Sequence, residues 1–253
     1  MKTASFILVL FCCLCALLSY GKSIDPSMVL YLPLDENKGD IAIDLSDYKN
    51  DATLKGKAKW APGKFNSGIE LGTSNYLEVK DSDSLKITDA LTISCWVRIM
   101  GATGDNQSGV EKGAAWISGE YNLLPEYGGG VLLQMFDLPE ACNDEAIGPS
   151  VVDQQWHYIT GAWDGKTIMI YIDAKESRTL ACKGKLNTNN DPLYIGCRGG
   201  GGRWVNGFID EIKIYNRALS VDEIKIDMED PTANLAVDVV GKLAVTWGNL
   251  KAK

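Results

Sequence analysis

Histidine is nearly absent from this chain: His157 is the only one among 253 residues. It stands in the stretch Trp156-His157-Tyr158, where we interpret it as a structural residue at the start of a strand. A single histidine argues against a histidine-rich zinc site and against His-based acid–base catalysis. The sequence also contains no P-loop and no serine nucleophile elbow. The most recognisable enzyme classes are therefore excluded.

Basic residues are also in deficit, with 25 Lys and Arg against 33 Asp and Glu, a net charge of -8 and a sequence pI of about 4.8. No extended cluster of Lys and Arg residues is visible in the sequence, so nucleic acid is excluded as a partner. Proline is scarce at 8 residues while glycine reaches 26, and 45% of the chain is hydrophobic. This composition fits one all-β domain or two small ones, with many turns.

Long apolar runs are absent after the first residues of the chain. Phe6 to Leu18 is apolar, follows Met1-Lys2 and precedes the small residues of Ser19-Tyr20-Gly21. This pattern predicts a signal peptide over residues 1–21 with cleavage before Lys22, and it is too short for a membrane anchor. We therefore expect a secreted, extracellular protein without a membrane span.

Four cysteines lie beyond the expected cleavage site: Cys95, Cys142, Cys182 and Cys197. An even number in an oxidising compartment predicts one or two disulfides, and four cysteines allow three full pairings. Cys142 and Cys182 stand in polar, loop-like stretches and are the preferred pair. Cys95 stands in an apolar strand, where a buried free thiol is the alternative.

Short runs of alternating apolar residues dominate the rest of the chain and predict an antiparallel sandwich. The Asp164-Gly165 pair between two such runs predicts a hairpin. Ser220 followed by Glu223 predicts a capping box at the start of a short helix. Beyond Asp230-Pro231-Thr232 the alternation resumes, so residues 229–253 are expected to form a tail with a hairpin packed on the domain. An interaction or sorting segment is the alternative for this tail.

Several motifs follow one another in a fixed order: Leu30-Tyr31-Leu32-Pro33-Leu34-Asp35-Glu36, Gly63-Lys64-Phe65, Leu91-Thr92-Ile93-Ser94-Cys95-Trp96-Val97, Trp163-Asp164-Gly165, Pro192-Leu193-Tyr194-Ile195-Gly196 and Asn206 to Ser220. In this order they resemble a LamG-like jelly-roll domain of the laminin G and concanavalin A-like lectin/glucanase superfamily, over roughly residues 25 to 228. The resemblance implies an all-β fold of two stacked antiparallel sheets, with the domain spanning 22–228. Because members of this class include lectins, glycosidases and adhesion modules, the fold leaves the function open.

Carboxylates spaced for glycoside hydrolysis are missing. Retaining glycosidases of this fold carry Glu-x-Asp-x-Glu on one strand, so that the acids face one cleft. Asp210 and Glu211 are instead adjacent, and in a regular strand they would point to opposite faces. We therefore expect no catalytic activity.

The stretch from Asp35 to Asp51 is rich in oxygen-bearing side chains, the ligand type that calcium prefers. The related domains often hold a calcium ion, so the resemblance makes calcium a candidate cofactor here. The candidate ligands are Asp35, Asp44, Asn50 and, from the last strand, Asp210. The alternative is that these Asp and Asn residues simply form turns.

A ligand-binding surface is predicted from aromatic and arginine residues placed in loops. Sugar sites combine an aromatic face with a few fixed polar groups. The candidates are Trp116, Tyr127, Arg198, Arg203 and Trp204, and the glycines between Arg198 and Arg203 allow a backbone to approach a ligand. The alternative is a flexible turn with Trp204 folded onto the core.

Together these features predict a secreted, non-catalytic binding module for carbohydrate, with calcium as a candidate cofactor. An extracellular protein–protein adhesion module is the alternative, and a glycosidase-like enzyme comes third.

Overall fold

The computed structural model describes residues 24–139, 142 and 146–233. The expected signal peptide and the expected tail beyond residue 233 lie outside these residues. The strands, in chain order, are β1 Met28–Leu32, β2 Ile41–Ala42, β3 Ala52–Lys55, β4 Lys59–Pro62, β5 Ser67–Leu71, β6 Tyr76–Val79, β7 Leu91–Ile99, β8 Val110–Lys112, β9 Tyr121–Tyr127, β10 Gly130–Met135, β11 His157–Trp163, β12 Thr167–Ile172, β13 Lys175–Ala181, β14 Leu193–Ile195 and β15 Gly207–Tyr215. A short 3₁₀ helix covers Asp83–Leu85, and helix α1 covers Val221–Glu229.

Two antiparallel sheets form the predicted sandwich. The first has the order β13-β12-β11-β7-β15-β5-β4, with β1 also paired to β15, and the second has the order β10-β9-β8-β14-β6-β3-β2. The hairpin predicted at Asp164-Gly165 joins β11 to β12. The expected fold class is confirmed.

The core lies between the sheets and is built on the central strand β7. Alternate residues Ile93, Cys95 and Val97 are buried in it, as the period of a strand requires. On the neighbouring strand, a Cβ added at Gly161 would lie 2.9 Å from the Cβ of Leu133 in the other sheet. A larger side chain at position 161 would therefore push the sheets apart.

The outer face of the first sheet is covered by helix α1. Ile224 on this helix packs in a second apolar cluster with Trp96, Tyr158 and Tyr215 of the sheet. The predicted capping box is present, since the Ser220 side chain accepts the N–H of Glu223 and the Glu223 side chain accepts the N–H of Ser220. The helix therefore starts where its sequence predicts and adds a layer to the sandwich.

A bulge interrupts strand β15 and corrects one expectation. Its register with β7 shifts between Asp210 and Lys213, and Glu211 has a left-handed backbone with a φ of 53°. Ile209 and Ile212, three residues apart, both lie in the core. Asp210 and Glu211 therefore lie together on the side of the sheet away from the core, and the expectation that they point to opposite faces is wrong.

Cys142 and Cys182 form a disulfide, the pair preferred from the sequence. Cys95 and Cys197 are free and buried. In the described part of the chain, no helix is long and apolar enough to cross a membrane.

Candidate functional site

Polar side chains line up across the outer face of the second sheet. Gln134 on β10 lies opposite Asn122 on β9, which lies opposite Glu111 on β8, which in turn lies opposite Tyr194 on β14. Their neighbour Leu123 belongs to the core, so alternation turns the row outward. Three of the four, Gln134, Asn122 and Glu111, are nevertheless buried, which means that other groups cover them.

Arg198 is one of these covering groups and bridges two carboxylates. Its Nε lies 3.2 Å from Glu111 Oε1, and its Nη2 lies 3.2 Å from Glu120 Oε1 and 3.0 Å from Gln134 Oε1. Burial raises the pKa of Glu111 to about 7, although the Ser108 hydroxyl and Arg198 favour its charged form. Desolvation offsets much of the attraction in a buried ion pair. The main effect of this cluster is therefore to hold the side chains of Arg198, Glu111 and Glu120 in fixed positions.

Trp116 lies on the loop between β8 and β9, which is held by the same two carboxylates. Glu120 Oε2 accepts the N–H of Trp116, and Glu111 Oε1 accepts the N–H of Ala115 at 3.4 Å. Ala115 and Trp116 have left-handed backbones, with φ of 47° and 64°, which costs each about 1–2 kcal/mol. Trp116 is still 47% exposed, and the guanidinium carbon of Arg198 lies 5.0 Å from its ring centre. Buried groups therefore hold a tryptophan that presents much of its surface to solvent.

Arg203 lies beside the same ring without a carboxylate partner. Its guanidinium carbon is 5.9 Å from the ring centre of Trp116 and 5.6 Å from that of Tyr127. Among the described residues no carboxylate oxygen lies within 4.0 Å of it, and its Nη1 is buried without a hydrogen-bond partner. Burial and the charge of Arg198 both lower the pKa of Arg203. Among the described residues, the guanidinium of Arg203 therefore has no carboxylate to balance its charge and no acceptor for its Nη1.

Trp204 lies next to these residues and contacts Tyr76 instead of Trp116. Its ring centre is 6.0 Å from that of Tyr76, which is 6.1 Å from that of Tyr194. Gly200 has a φ of 72°, and a Cβ there would lie 3.3 Å from the Tyr76 hydroxyl, so glycine lets this loop lie close to the sheet.

The structure thus brings four of the five predicted ligand residues together, and we call them the arginine–aromatic surface: Trp116, Tyr127, Arg198 and Arg203. Trp204 borders this surface. The sequence predicts a loop position for Tyr127, whereas the structure places it as the last residue of β9.

Sequence comparison assigns the family. The sequence profile described as the concanavalin A-like lectin/glucanases superfamily matches residues 71–225, which is more than half of the chain. The chain belongs to this superfamily. No curated protein matches it.

Solved structures similar to this superfamily member are binding domains and a domain of an arabinanase. The binding domain of Paraclostridial Mosquitocidal Protein 1 is 18% identical, with a TM-score of 0.62 over 82% of this chain and 53% of that one. Domain 4 of AbnA, a GH43 extracellular arabinanase from Geobacillus stearothermophilus solved with arabinotriose, is 18% identical, with a TM-score of 0.62 over 79% of this chain and 97% of that one. The binding domain of botulinum neurotoxin DC, solved with SialylT, is 16% identical, with a TM-score of 0.58 over 80% of this chain and 51% of that one. The chain spans about half the length of the two toxin domains, and these likenesses show the fold.

The residues predicted to bind calcium form two separate pairs in this superfamily member. Asp35 and Asp210 hold the turn between β4 and β5: Asp35 bonds to Asn66 and Ser67, and Asp210 accepts the N–H groups of Lys64 and Phe65. Asp44 accepts the N–H groups of Tyr31, Ser46 and Asn50. Within the described residues, no group of three or more His, Cys, Asp or Glu side chains is arranged to hold a metal ion. Calcium binding here stays a prediction.

The acidic residues and the arginine–aromatic surface do not converge. Asp44 follows β2, which is the edge strand of the second sheet, whereas Trp116 and Arg198 contact strands at the β10 end. Asp35 and Asp210 bond to residues beside the first sheet. The candidate ligand and metal sites are therefore separate in this fold.

The arginine–aromatic surface has buried partners that are not among the residues predicted from the sequence: Glu111, Glu120, Asn122 and Gln134. A signal for two of them exists: Asn122 and Gln134 are single polar residues between apolar neighbours, in Tyr121-Asn122-Leu123 and Leu133-Gln134-Met135. A lone polar residue on a strand that is otherwise buried indicates a polar partner above the sheet.

Proposed function

We propose that this protein is a secreted, non-catalytic module that binds carbohydrate through the arginine–aromatic surface. The observation that carries this proposal is Trp116, which is 47% exposed on a loop held by two buried carboxylates. An exposed indole stacks on the apolar C–H groups of a sugar, and neighbouring arginines donate hydrogen bonds to its oxygens.

The rigidity of the surface supports binding. Glu111 and Glu120 hold both Arg198 and the backbone of the Trp116 loop. Phe136 packs edge-on against the Trp116 ring, with 6.2 Å between ring centres. Because little side-chain freedom is left to lose, binding carries a smaller entropic cost.

The structural neighbours support carbohydrate as the ligand class. Domain 4 of the arabinanase was solved with arabinotriose, and entry of botulinum neurotoxin type C into cells is described as dependent on two ganglioside molecules. The disulfide between Cys142 and Cys182 supports an oxidising, extracellular environment.

The state of the buried carboxylates supports a non-catalytic module. Glu111 and Glu120 both bond to Arg198, and Asp210 accepts three backbone N–H groups. These acids act as hydrogen-bond acceptors that organise loops. Hydrolysis of a polysaccharide panel that disappears in a single carboxylate variant would overturn this part of the proposal.

Calcium is proposed as a cofactor of the Asp35–Asp51 loop, not of the arginine–aromatic surface. The support is the density of carboxylate and amide oxygens in the sequence from Asp35 to Asp51, which includes the candidate ligands Asp35, Asp44 and Asn50. A bound ion would stabilise the folded state by mass action, so a chelator should lower the melting temperature. An unchanged midpoint would argue against a metal.

An adhesion module that binds proteins is the second candidate. It is favoured by three large, exposed side chains on one segment, Ile41, Ile43 and Tyr48, because exposed apolar groups gathered in one place mark interaction surfaces.

A glycan array probed with the wild-type protein, with calcium and with chelator, tests the proposal. We expect binding to a subset of glycans in at least one condition. The absence of binding to every glycan in both conditions would overturn the carbohydrate proposal and favour the adhesion module.

A further inference from the structure

We infer that the bound glycan carries a carboxylate and that Arg203 receives it. The inference rests on the proposed function and adds a ligand class, a sugar acid, to it. It is carried by the different environments of the two arginines of the arginine–aromatic surface.

Arg198 is already neutralised inside the protein. Its guanidinium bonds to Glu111 and Glu120 at 3.2 Å each, and its side chain is 9% exposed. It therefore positions the surface and has little charge left to offer a ligand.

Arg203 has the opposite environment. No carboxylate of the described residues lies within 4.0 Å of it, and its flanking groups are the rings of Trp116 and Tyr127. Ring faces attract a cation, but they accept no hydrogen bond from the N–H groups in the guanidinium plane. Nη1 is such a donor, buried and without a partner, and a buried donor without an acceptor is destabilising until a ligand group accepts from it.

The backbone holds this guanidinium in place. Arg203 has a φ of 46°, and its carbonyl accepts the N–H of Ser108 at 2.8 Å. The hydroxyl oxygen of Ser108 lies 2.6 Å from Glu111 Oε2 and 2.9 Å from Asn122 Oδ1, so Ser108 belongs to the buried polar network beneath the surface. A strained backbone fixed by buried hydrogen bonds is typical of ligand sites.

A carboxylate satisfies this arrangement best. It is planar and accepts two parallel N–H bonds from a guanidinium, which a neutral hydroxyl cannot do. The net charge of -8 disfavours a polyanion that would need a broad basic surface. One sugar acid whose ring lies on Trp116 and whose carboxylate meets Arg203 fits both observations.

Matched pairs of probes test this inference: a galacturonic acid disaccharide against its methyl ester, sialyllactose against lactose, and a sulfated against an unsulfated galactan. Wild-type protein should bind the carboxylated member of at least one pair roughly tenfold more tightly than its neutral partner. Arg203→Gln should remove that difference, and Arg203→Lys should retain part of it, because lysine keeps the charge without the fork of donors.

Arg98→Gln is the matched control, because Arg98 also lies over an aromatic ring but belongs to the first sheet. Its guanidinium carbon is 5.6 Å from the ring centre of Phe208. It should leave the preference unchanged, and melting curves check that each variant folds. Equal binding of charged and neutral members, or an unaltered preference in Arg203→Gln, overturns the inference and leaves the proposed function standing. Preference for the sulfated galactan alone overturns the carboxylate assignment. Failure to bind any member of any pair counts against the proposed function itself.

Discussion

Arg198 shows how one buried cation can position a binding surface. It bonds to Glu111, Glu120 and Gln134 on one side, and its guanidinium carbon lies 5.0 Å from the ring centre of Trp116 on the other. The carboxylates in turn hold the backbone of the Trp116 loop. The orientation of an exposed tryptophan thus depends on charges that solvent barely reaches.

Replacing Arg198 should lower the free energy of unfolding, because two buried acids lose their cation. Arg198→Met leaves Glu111 and Glu120 without their cation, and breaking a buried ion pair costs about 3–5 kcal/mol. Because the pKa of Glu111 is about 7, this acid takes up a proton in mild acid and the cost shrinks. Urea unfolding should show a loss of about 3 kcal/mol near pH 8 and a clearly smaller loss near pH 5.

Arg98→Met, at a position where the guanidinium donates to the carbonyl of Gln154, serves as the control and should change stability little at either pH. Equal losses at the two pH values in Arg198→Met would contradict the role assigned to Glu111.

The exposed residues of the site could be predicted from the sequence, whereas their buried partners could not. Trp116 and Arg203 are recognisable because aromatic and basic residues in glycine-rich loops are typical of binding sites. Glu111 and Glu120 come from different sides of one loop, and only the folded chain shows that both meet Arg198.

At the scale of elements, helix α1 is fixed to strand β15 by a buried polar contact. Asp227 on the helix lies 3.0 Å from Lys213 Nζ and accepts the hydroxyl of Tyr215 at 2.6 Å, and all three side chains are buried. Lys213 Nζ also lies 4.8 Å from the ring centre of Tyr31. The buried ion pair between Lys213 and Asp227 therefore links the sheet to the helix.

Removing one member of this pair should cost much more than removing both. Asp227→Leu leaves Lys213 unpaired and should lower the free energy of unfolding by about 3 kcal/mol, whereas adding Lys213→Met should recover a large part of that loss. Equilibrium unfolding of the single and double variants measures the difference. The exposed pair Lys225–Glu229, at 3.9 Å, is the control: Glu229→Leu should cost under about 0.5 kcal/mol. A double variant no more stable than Asp227→Leu would contradict this account.

The elements themselves were largely predictable, because alternation, the Asp164-Gly165 turn and the Ser220 cap are local signals. The bulge at Glu211 was not. Alternation in the sequence assumes a regular strand, whereas Glu211 has a left-handed φ of 53°, and Asp210 and Glu211 both bond to residues far along the chain. Glu211 accepts the hydroxyl of Tyr31, and Asp210 accepts the N–H of Lys64.

For the whole molecule, the unusual feature is the number of acids buried away from solvent. Burial raises the pKa of Glu111 and Glu211 to about 7 and that of Asp210 to about 8. The folded state therefore holds protons that the unfolded state has already released between about pH 4.5 and 8. The acidic total of the chain adds self-repulsion as these protons leave.

Stability should consequently fall as pH rises across this window. Each raised carboxyl pKa means that the folded state binds more protons than the unfolded state, so ΔG of unfolding decreases with pH. His157 works in the same direction: its carboxylate partners Asp173 and Asp153 raise its pKa against the effect of burial, and that stabilisation is lost as pH rises through the raised pKa. Acids with a lowered pKa, such as Glu223 at about 2, lose their contribution only in stronger acid.

Melting temperature measured from pH 5 to 8 should fall by on the order of 5 °C. Glu111→Gln should flatten part of this slope, because it removes one of the groups that release a proton. A melting temperature that rises steadily with pH would contradict the burial of these acids.

Trp116 is the side chain on which we propose that a sugar stacks, and a comparison of two single variants tests this contact. Trp116→Ala and Tyr48→Ala each remove an exposed aromatic side chain, 47% and 44% exposed, from different parts of the surface. On the same glycan array, Trp116→Ala should reduce binding by roughly tenfold or more, equivalent to about 1.4 kcal/mol, while Tyr48→Ala should bind as wild type. Undiminished binding by a folded Trp116→Ala protein would show that the sugar does not stack on this ring.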